Sequence, residues 1–317
     1  MIFEDLQMLR HRIAFWTNRP PPERINIFES IHSFVSIDTG NILRIEGNDY
    51  LVFGHTREGR FGLDEEPKLW VKITIDLTTG QKKIVKMLFN ESFHRKIGNI
   101  SIYQKRNPEK EVRILELMHG HANFMQGRAA FDVSGNMVRV IDFISGPSLY
   151  EYLRGLNMPH KEYYMKKLFG IMKSIIKGIE AIDQLHQHGL HHGDIRADHL
   201  MLEDGTGTYR WIDFDYDVDF PGYDLLCLGN VLLQVVGKGR HSIHDIRSQP
   251  SNYPHFKDRL TGSDMSMMYR HRIANLRELF PYISIDLNNI LMRFSAGSKE
   301  IYHDVKSLLF DLNNIFR

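Results

Sequence analysis

Two aspartates, Asp194 and Asp213, have the residue type and the position to carry out chemistry. The segment 191–217 reads as strand, loop, strand, turn and strand, with glycine-containing turn signals between the last two strands. A hairpin there would bring the loop after His192 close to the residues after Ile212, so that the two carboxylates converge. One carboxylate could then orient a hydroxyl group while the other holds a metal ion, which is the arrangement that phosphoryl transfer requires.

The composition limits the class of protein. Hydrophobic residues make up 42% and charged residues 25% of the 317 residues, as in ordinary globular proteins. The net charge of +1 indicates no nucleic-acid-binding surface, so we expect no nucleic-acid partner. The single cysteine, Cys227, lies in an apolar run, which predicts an inert core thiol and a reducing compartment. Without a signal peptide or a run of about 18 apolar residues, the sequence predicts a cytoplasmic protein with no membrane span.

The elements that must position the two aspartates follow from hydrophobic periodicity. From Ile42 to Ile144 the pattern is mainly β, with one helix that begins at Pro108, and after Pro147 it becomes helical. The sequence therefore predicts an α+β fold with a β-rich N-lobe that contains one helix and a mainly helical C-lobe, and a cleft between such lobes is a natural ligand site. The predicted boundaries are an N-terminal extension at 1–45, the N-lobe at 46–145 and the C-lobe at 146–317.

The clearest single elements are one hairpin and two helices. A strand through Asp76 and a strand over Lys82–Phe89 flank a Thr-Thr-Gly-Gln turn. Apolar periodicity predicts a long helix over Glu162–His188 and another over Tyr223–Val236.

The N-terminal extension has two interpretations. Residues 1–16 show helical periodicity, and the prolines at 20–22 break any helix. The helix could be an amphipathic docking element for a partner. A cap packed on the main body is favoured, because apolar stripes usually meet a core.

The order of elements, together with particular residues, resembles the protein-kinase-like superfamily over about residues 50–317. Residues 192–199 match the catalytic-loop pattern H-R-D-L-x-x-x-N, and residues 213–215 match the metal-binding pattern D-F-G. The resemblance implies that Asp194 is the catalytic base or orients the acceptor hydroxyl, and that Asp213 binds Mg²⁺. It also implies that Arg196 steadies the transferred phosphate.

The same resemblance implies an ATP site in the N-lobe. Lys86 takes the place of the strand lysine that contacts the α- and β-phosphates, and Glu111 is its helix partner. Gly59 and Gly62 match the end of the phosphate-binding pattern G-x-G-x-x-G. The alternative for Lys86 is an exposed strand lysine, and the alternative for the glycine pattern is a plain loop.

The expected hinge segment, VIDFISGPSLYEYL, would complete that site. The backbone of Asp142–Ile144 would hydrogen-bond the adenine edge, and Ser148 would lie near the ribose. Asp224 would cap the backbone of the catalytic loop, as the aspartate of the corresponding kinase helix does.

Several positions depart from the family pattern. His199 replaces a metal-binding asparagine, and imidazole suits Mg²⁺ poorly, although the neighbouring Asp198 could substitute. Gly193 replaces the arginine that reads an activation-loop phosphate. Only residues 214–223 separate Asp213 from Asp224, which leaves no room for an activation loop. The chain therefore resembles bacterial serine/threonine-kinase-like proteins without that loop, and it is also similar to aminoglycoside and choline kinases.

Two other metal sites are conceivable. The alternating acids from Asp213 to Asp219 resemble a calcium loop, but Val218 stands where that loop requires glycine. A zinc site would need three or four histidines to converge, and two of them already have structural counterparts in kinases, so zinc is not favoured. The histidines concerned are His186, His188, His191, His192 and His199.

Taken together, the sequence predicts an ATP-dependent phosphotransferase. It would transfer the γ-phosphate to a hydroxyl of a protein serine or threonine or of a small molecule, with ATP and Mg²⁺ as cofactors and Mn²⁺ as a possible substitute. One alternative is a pseudokinase that acts as a nucleotide-binding or scaffolding module. Another is a partner-binding protein that uses its N-terminal extension.

Overall fold

The computed structural model describes residues 2–58, 66–257 and 259–317. The strands are β1 (Ile27–Phe28), β2 (Ile42–Ile45), β3 (Asn48–Glu58), β4 (Glu66–Asp76), β5 (Lys82–Lys86), β6 (Ser92–Ile97), β7 (Ile100–Arg106), β8 (Gly127–Phe131), β9 (Met137–Asp142), β10 (Leu200–Leu202), β11 (Tyr209–Trp211) and β12 (Tyr216–Val218). The α-helices are α1 (Ile2–Thr17), α2 (Pro108–Leu117), α3 (Leu149–Gly155), α4 (His160–Lys166), α5 (Leu168–Gln187), α6 (Tyr223–Val236), α7 (Ile243–Ser248), α8 (Ile285–Met292) and α9 (Val305–Phe316).

The chain divides into two compact units. The first unit comprises Met1–Asn90, Leu115–Gly120 and Met125–Phe143, and the second comprises Glu91–Ile114, His121–Phe124 and Ile144–Arg317. A seven-stranded sheet dominates the first unit, and α3 to α9 lie in the second. The predicted α+β class, with a β-rich N-terminal part and a helical C-terminal part, is therefore confirmed. The predicted boundaries at residues 45 and 145 remain predictions.

The sheet of the first unit has the strand order β1-β2-β3-β4-β5-β9-β8. Its predicted hairpin is present as β4 and β5, joined through a turn in which Gly80 has a φ of +73°. Strand β5 ends at Lys86, three residues before the predicted end at Phe89. In the register, Lys86 lies opposite Val71 on one side and Arg139 on the other.

Helix α1 of the N-terminal extension packs against strands of the first unit, which agrees with the cap interpretation. Leu9 and Ile13 of α1 are buried in one cluster with Ile42, Leu51 and Leu77. Burying one such side chain adds about 1.5–3 kcal/mol to the free energy of unfolding, relative to leaving it exposed. The apolar stripe of α1 is therefore used within this chain.

The second unit departs from the predicted long helix over Glu162–His188. That segment forms two helices, α4 and α5, because Lys167 adopts a φ of −119° and interrupts the helical geometry. The hydroxyl of Tyr163 in α4 donates to the carbonyl of Val235 in α6 at 2.7 Å. Helix α6 has the predicted bounds, and Cys227 within it is buried, as expected. No helix among the described residues is long and apolar enough to cross a membrane.

The second unit also contains a small sheet that the sequence did not predict. Strands β6 and β7 form a hairpin, and β12 pairs with β7 in an antiparallel arrangement. The predicted strand at the start of segment 191–217 is wrong, because residues 191–195 form a loop. That loop is the one that carries Asp194, and β12 follows Asp213.

Candidate active site

The loop that carries Asp194 is held by a buried carboxylate from α6. Asp224 accepts hydrogen bonds from the backbone N–H of His192 at 2.7 Å and of Gly193 at 2.8 Å. Burial alone would raise the pKa of Asp224, but the hydrogen bonds from the side chain of His186 and the backbone of Gly193 outweigh burial and lower it to about 2. The carboxylate is therefore ionised, and the predicted capping role of Asp224 is confirmed.

The hairpin of β10 and β11 brings Asp194 and Asp213 to opposite sides of one imidazole. The backbone N–H of Ile212 donates to the carbonyl of His199 at 3.0 Å, which places Asp213 beside the end of the loop. The Nδ1 atom of His199 lies 3.5 Å from a carboxylate oxygen of Asp194, and its Nε2 atom lies 3.7 Å from one of Asp213. The predicted convergence of the two acids is confirmed, with a histidine between them.

Hydrogen bonding sets the tautomer of His199. Its Nδ1 atom lies 2.9 Å from the backbone carbonyl of Asp194, and a carbonyl oxygen only accepts, so Nδ1 carries the proton. When the ring is neutral, the lone pair of Nε2 faces the Asp213 carboxylate. A proton on Nε2 or a cation between the two groups relieves their repulsion, so the pair can accept a divalent metal ion.

Asp213 has a strained backbone. Its φ is +68°, a left-handed value that few residues other than glycine adopt. Its side chain is nearly buried, at 8% exposure. Strain of this kind costs of order 1–3 kcal/mol and clusters at functional sites, which agrees with the metal-binding role expected of Asp213.

Arg196 is engaged by its neighbour Asp198. Its Nε atom donates to one carboxylate oxygen of Asp198 at 3.0 Å, and Nη2 donates to the other. Burial would raise the pKa of Asp198, but the charge of His199 and the bonds from Arg196 outweigh burial and lower it. Another guanidinium nitrogen of Arg196 lies 3.7 Å from the Asp194 carboxylate, so Arg196 borders the site.

The residues after Asp213 are fixed by the small sheet of the second unit. Asp215 forms an ion pair with Arg106 of β7 at 2.7 Å, and both side chains are 1% exposed. Asp217 accepts a bond from the side chain of Asn107 at 2.6 Å, and Asp219 accepts one from the backbone of Tyr103 at 2.7 Å. These separate bonds explain the alternating acids as anchors of β12, which differs from the calcium-loop alternative.

The first half of α2 is tied to the same segment, a feature that the sequence analysis missed. The Nζ atom of Lys110 donates to the carbonyl of His192 at 3.2 Å and to that of Tyr216. Glu111 accepts a bond from the backbone N–H of Phe214 at 3.3 Å. Burial lowers the pKa of Lys110, which is consistent with its 6% exposure. Sequence alone gave no signal that separates Lys110 from a solvated helix lysine.

Gly193 is required by close packing against β12. Its φ is +84°, and a Cβ atom at this position would lie 1.9 Å from the carbonyl oxygen of Tyr216. No larger residue fits while β12 occupies its place. Beside Gly193 lies a cavity of about 360 Å³. It is lined by His191, Gly193, Val218, Asp219, Phe220, Pro221, Tyr223 and Asp224.

Aromatic rings pack directly behind the site. The ring of Phe214 lies 4.7 Å from that of His192 and 5.4 Å from that of Phe124. Burial lowers the pKa of His192 to about 3, so its ring is neutral at pH 7. This apolar packing fixes the backbone on either side of the two acids.

The residues expected to bind ATP are distributed over both units. Lys86 lies in the first unit and is 4% exposed, so the alternative of an exposed strand lysine is wrong. Glu111 lies in the second unit, and its pairing with Lys86 remains a prediction. Gly59 and Gly62 lie outside the described residues.

The expected hinge residues have structural contacts of their own. Asp142 forms an ion pair with Lys83 at 2.7 Å, and Ile144 begins the last segment of the second unit. Ser148 is the N-cap of α3, and its hydroxyl exchanges hydrogen bonds with Glu151 in a capping box. The expected contacts of these residues with adenine and ribose remain predictions.

Comparison with known proteins points to kinases. No model of a known protein family matches the chain. Calcium-dependent protein kinase 27 of Arabidopsis thaliana is 26% identical over 41% of the chain and 28% of its own length. Smooth-muscle myosin light chain kinase of Gallus gallus is 30% identical over 36% of the chain and 6% of its own length. Serine/threonine-protein kinase ksp1 of Schizosaccharomyces pombe is 24% identical over 60% of the chain and 44% of its own length.

These similarities are low in identity and partial in extent. The chain spans less than half the length of each of these curated relatives. Together with the α+β architecture, they support a relationship of this chain to the protein-kinase-like family.

Proposed function

We propose that this chain is an ATP-dependent phosphotransferase that transfers the γ-phosphate to a hydroxyl group. The proposal rests on the positions of Asp194 and Asp213 on either side of the His199 ring. A carboxylate oxygen of Asp194 lies 3.5 Å from Nδ1, and one of Asp213 lies 3.7 Å from Nε2. In this proposal the carboxylate of Asp194 orients the acceptor hydroxyl and accepts its proton. Arg196, beside Asp194, would neutralise charge on the transferred group, and Lys86 with Glu111 would position the phosphates of ATP.

A divalent metal ion fits the proposed site at Asp213 and His199. The carboxylate of Asp213 supplies the oxygen that a hard cation prefers, and the Nε2 lone pair of His199 is directed toward the same point. Because imidazole favours Mn²⁺ over Mg²⁺, this donor set suits Mn²⁺ better than the family's asparagine does. Such an ion, when bound with ATP, would neutralise charge on the β- and γ-phosphates.

The segment after Asp213 bears on the class of hydroxyl acceptor. Strand β12 follows Asp213 at once and is hydrogen-bonded to β7 over Tyr216–Val218. In this chain, the segment that docks peptides in typical protein kinases is replaced by a short strand, so we place small-molecule hydroxyls beside protein serine and threonine as candidate acceptors.

Transfer of the ATP γ-phosphate to both classes of acceptor tests the proposal. We expect Asp194→Asn to reduce turnover by about 10²–10⁴-fold, because it removes the proton acceptor and keeps the shape. Asp286→Asn, an exposed and isosteric change on α8, should leave turnover unchanged. Equal turnover in the Asp194 variant and the unmodified chain would refute the assignment.

One observation supports the pseudokinase alternative. The guanidinium of Arg196, which would neutralise charge on the transferred group, is already hydrogen-bonded to Asp198. Thermal unfolding with ATP and Mg²⁺ or Mn²⁺ separates the two functions, since a ligand that binds only the native state raises the unfolding temperature. A rise without phosphate transfer to any acceptor would favour the pseudokinase, and a rise with transfer would favour the enzyme.

A further inference from the structure

We propose that His186, His191 and Asp224 form a binding site for a transition-metal dication of the Zn²⁺ type, separate from Asp194 and Asp213. One ligand atom from each of the three residues lies within 4.8 Å of the other two. The Nε2 atom of His186 lies 2.9 Å from Oδ2 of Asp224, and the Nδ1 atom of His191 lies 4.0 Å from the same oxygen. All three residues belong to the second unit.

The end of α5 explains why the two histidines meet. The helix ends at Gln187, and Gly189 then takes a left-handed φ of +70°. The backbone N–H of Leu190 donates back to the carbonyl of Leu185 at 3.2 Å, which reverses the chain over the last turn. As a result the ring of His191 lies 4.5 Å from that of His186.

Asp224 reaches this pair from the first turn of α6. Its Oδ1 atom accepts the bond from Gly193, and its Oδ2 atom accepts the bond from His192 and faces His186. A metal ion between His186 and Asp224 would replace only the contact between these two side chains. Both backbone bonds to the loop would remain, so the ion would be connected through Asp224 to the loop that carries Asp194.

The donor set matches Zn²⁺ chemistry. Two imidazole nitrogens and one carboxylate oxygen, with a fourth position open, form a set that Zn²⁺ adopts with bonds of about 2.0–2.2 Å. Around a tetrahedral ion, ligand atoms at such bond lengths lie about 3.3 Å apart. The observed separations of 2.9 and 4.0 Å lie on either side of that value. The His191 side chain is 52% exposed, so it can rotate to close the longer separation.

The surroundings also favour a metal ion. The cavity of about 360 Å³ is lined by His191 and Asp224, so it gives water a route to the fourth position. Mg²⁺ is a poor occupant because it prefers oxygen ligands.

The test uses the full chain after treatment with a chelator. Titration with Co²⁺, a spectroscopic substitute for Zn²⁺, should produce the intense visible absorption of a four-coordinate ion, and Zn²⁺ should abolish it. We expect His191→Ala to weaken Co²⁺ binding about tenfold or more, because it removes one of three protein ligands. His188→Ala is the matched control, since His188 is an exposed histidine of the same segment bonded to the Gln184 carbonyl.

A second variant distinguishes this site from the proposed phosphotransferase site. Asp213→Asn removes a ligand of the divalent ion proposed at Asp213 and His199, and it should retain the intense four-coordinate Co²⁺ absorption. Loss of that absorption in this variant would place the ion elsewhere and overturn the proposal. Equal binding by His191→Ala and His188→Ala, or an absorption typical of hydrated Co²⁺ alone, would also overturn it. A Zn²⁺-dependent rise in unfolding temperature that is present with His188→Ala and absent with His191→Ala would support it. These readouts do not depend on phosphate transfer, so they stand or fall separately from the proposed function.

Discussion

Arg106 and Asp215 form a buried ion pair at the point where the chain leaves Asp213. The Nη1 atom of Arg106 donates to both carboxylate oxygens of Asp215, at 2.8 and 2.7 Å. Burial alone would lower the pKa of Arg106, but the negative charge of Asp215 outweighs burial and raises it. Asp215 occupies the glycine position of the D-F-G pattern that residues 213–215 resemble. In this chain, the residue at that position forms a buried ion pair with Arg106.

Restoring that glycine should therefore weaken the protein. We expect Asp215→Gly to lower the free energy of unfolding by about 3 kcal/mol, because it removes the carboxylate that faces Nη1 of the buried Arg106 guanidinium and leaves the bond from Nε to Glu91 in place. Denaturant unfolding measures this loss. Asp217→Gly, at an exposed position of β12, should cost about 1 kcal/mol. If the two variants lose the same stability, the buried ion pair is not the cause.

The sequence predicted the parts of the site that depend on local pattern. Turn residues and alternating apolar residues predicted the hairpin of β10 and β11, and with it the convergence of Asp194 and Asp213. Periodicity also gave the bounds of α6, which carries Asp224. These features follow from interactions between residues close in sequence, which is why one sequence suffices to predict them.

The parts that the sequence analysis missed depend on contacts between distant segments. Strands β7 and β12 are more than a hundred residues apart, and β12 is only three residues long. The buried position of Lys110 depends on carbonyl groups of His192 and Tyr216, which local periodicity does not reveal. The meeting of His186 and His191 requires the left-handed turn at Gly189, so spacing alone did not favour a metal site there.

Lys72 should make the stability of the protein depend on pH. Its side chain in the first unit is 0% exposed, and Nζ donates to the carbonyls of Phe34 at 3.1 Å and Ile37 at 2.5 Å. Burial lowers its pKa from 10.5 to about 8. Between these two values the unfolded chain binds more protons than the folded chain, so this contribution makes stability rise with pH in that window.

The variant Lys72→Met isolates that contribution. We expect the unmodified protein to gain about 1–2 kcal/mol more than the variant between pH 8 and pH 10, after allowance for solvent screening. Denaturant unfolding at a series of pH values measures the difference. Lys82→Met, at an exposed lysine of β5, should keep the slope of the unmodified protein. Parallel slopes for Lys72→Met and the unmodified protein would contradict the prediction.

His199 should determine which metal ion supports the proposed phosphate transfer. His199→Asn exchanges the imidazole nitrogen, 3.7 Å from the Asp213 carboxylate, for an amide oxygen that Mg²⁺ accepts more readily. We expect the ratio of turnover with Mn²⁺ to turnover with Mg²⁺ to fall about tenfold. The measurement is steady-state transfer with each ion, and His188→Asn serves as the control. An unchanged ratio would show that the His199 ring does not contact the ion.

Gly193 tests whether β12 and the loop that carries Asp194 act as one packed unit. A Cβ atom at Gly193 would lie 1.9 Å from the carbonyl oxygen of Tyr216, so Gly193→Ala must displace either β12 or the loop. We expect a loss of about 3 kcal/mol or more in the free energy of unfolding, together with loss of any phosphate transfer. Gly205→Ala is the matched control, because Gly205 has a similar φ of +80° with nothing within 4 Å of the added atom, and it should cost only about 1–2 kcal/mol of backbone strain. Because the two glycines share the left-handed conformation, the excess loss at Gly193 measures the packing of the loop against β12, and equal losses would show that the strand yields without cost.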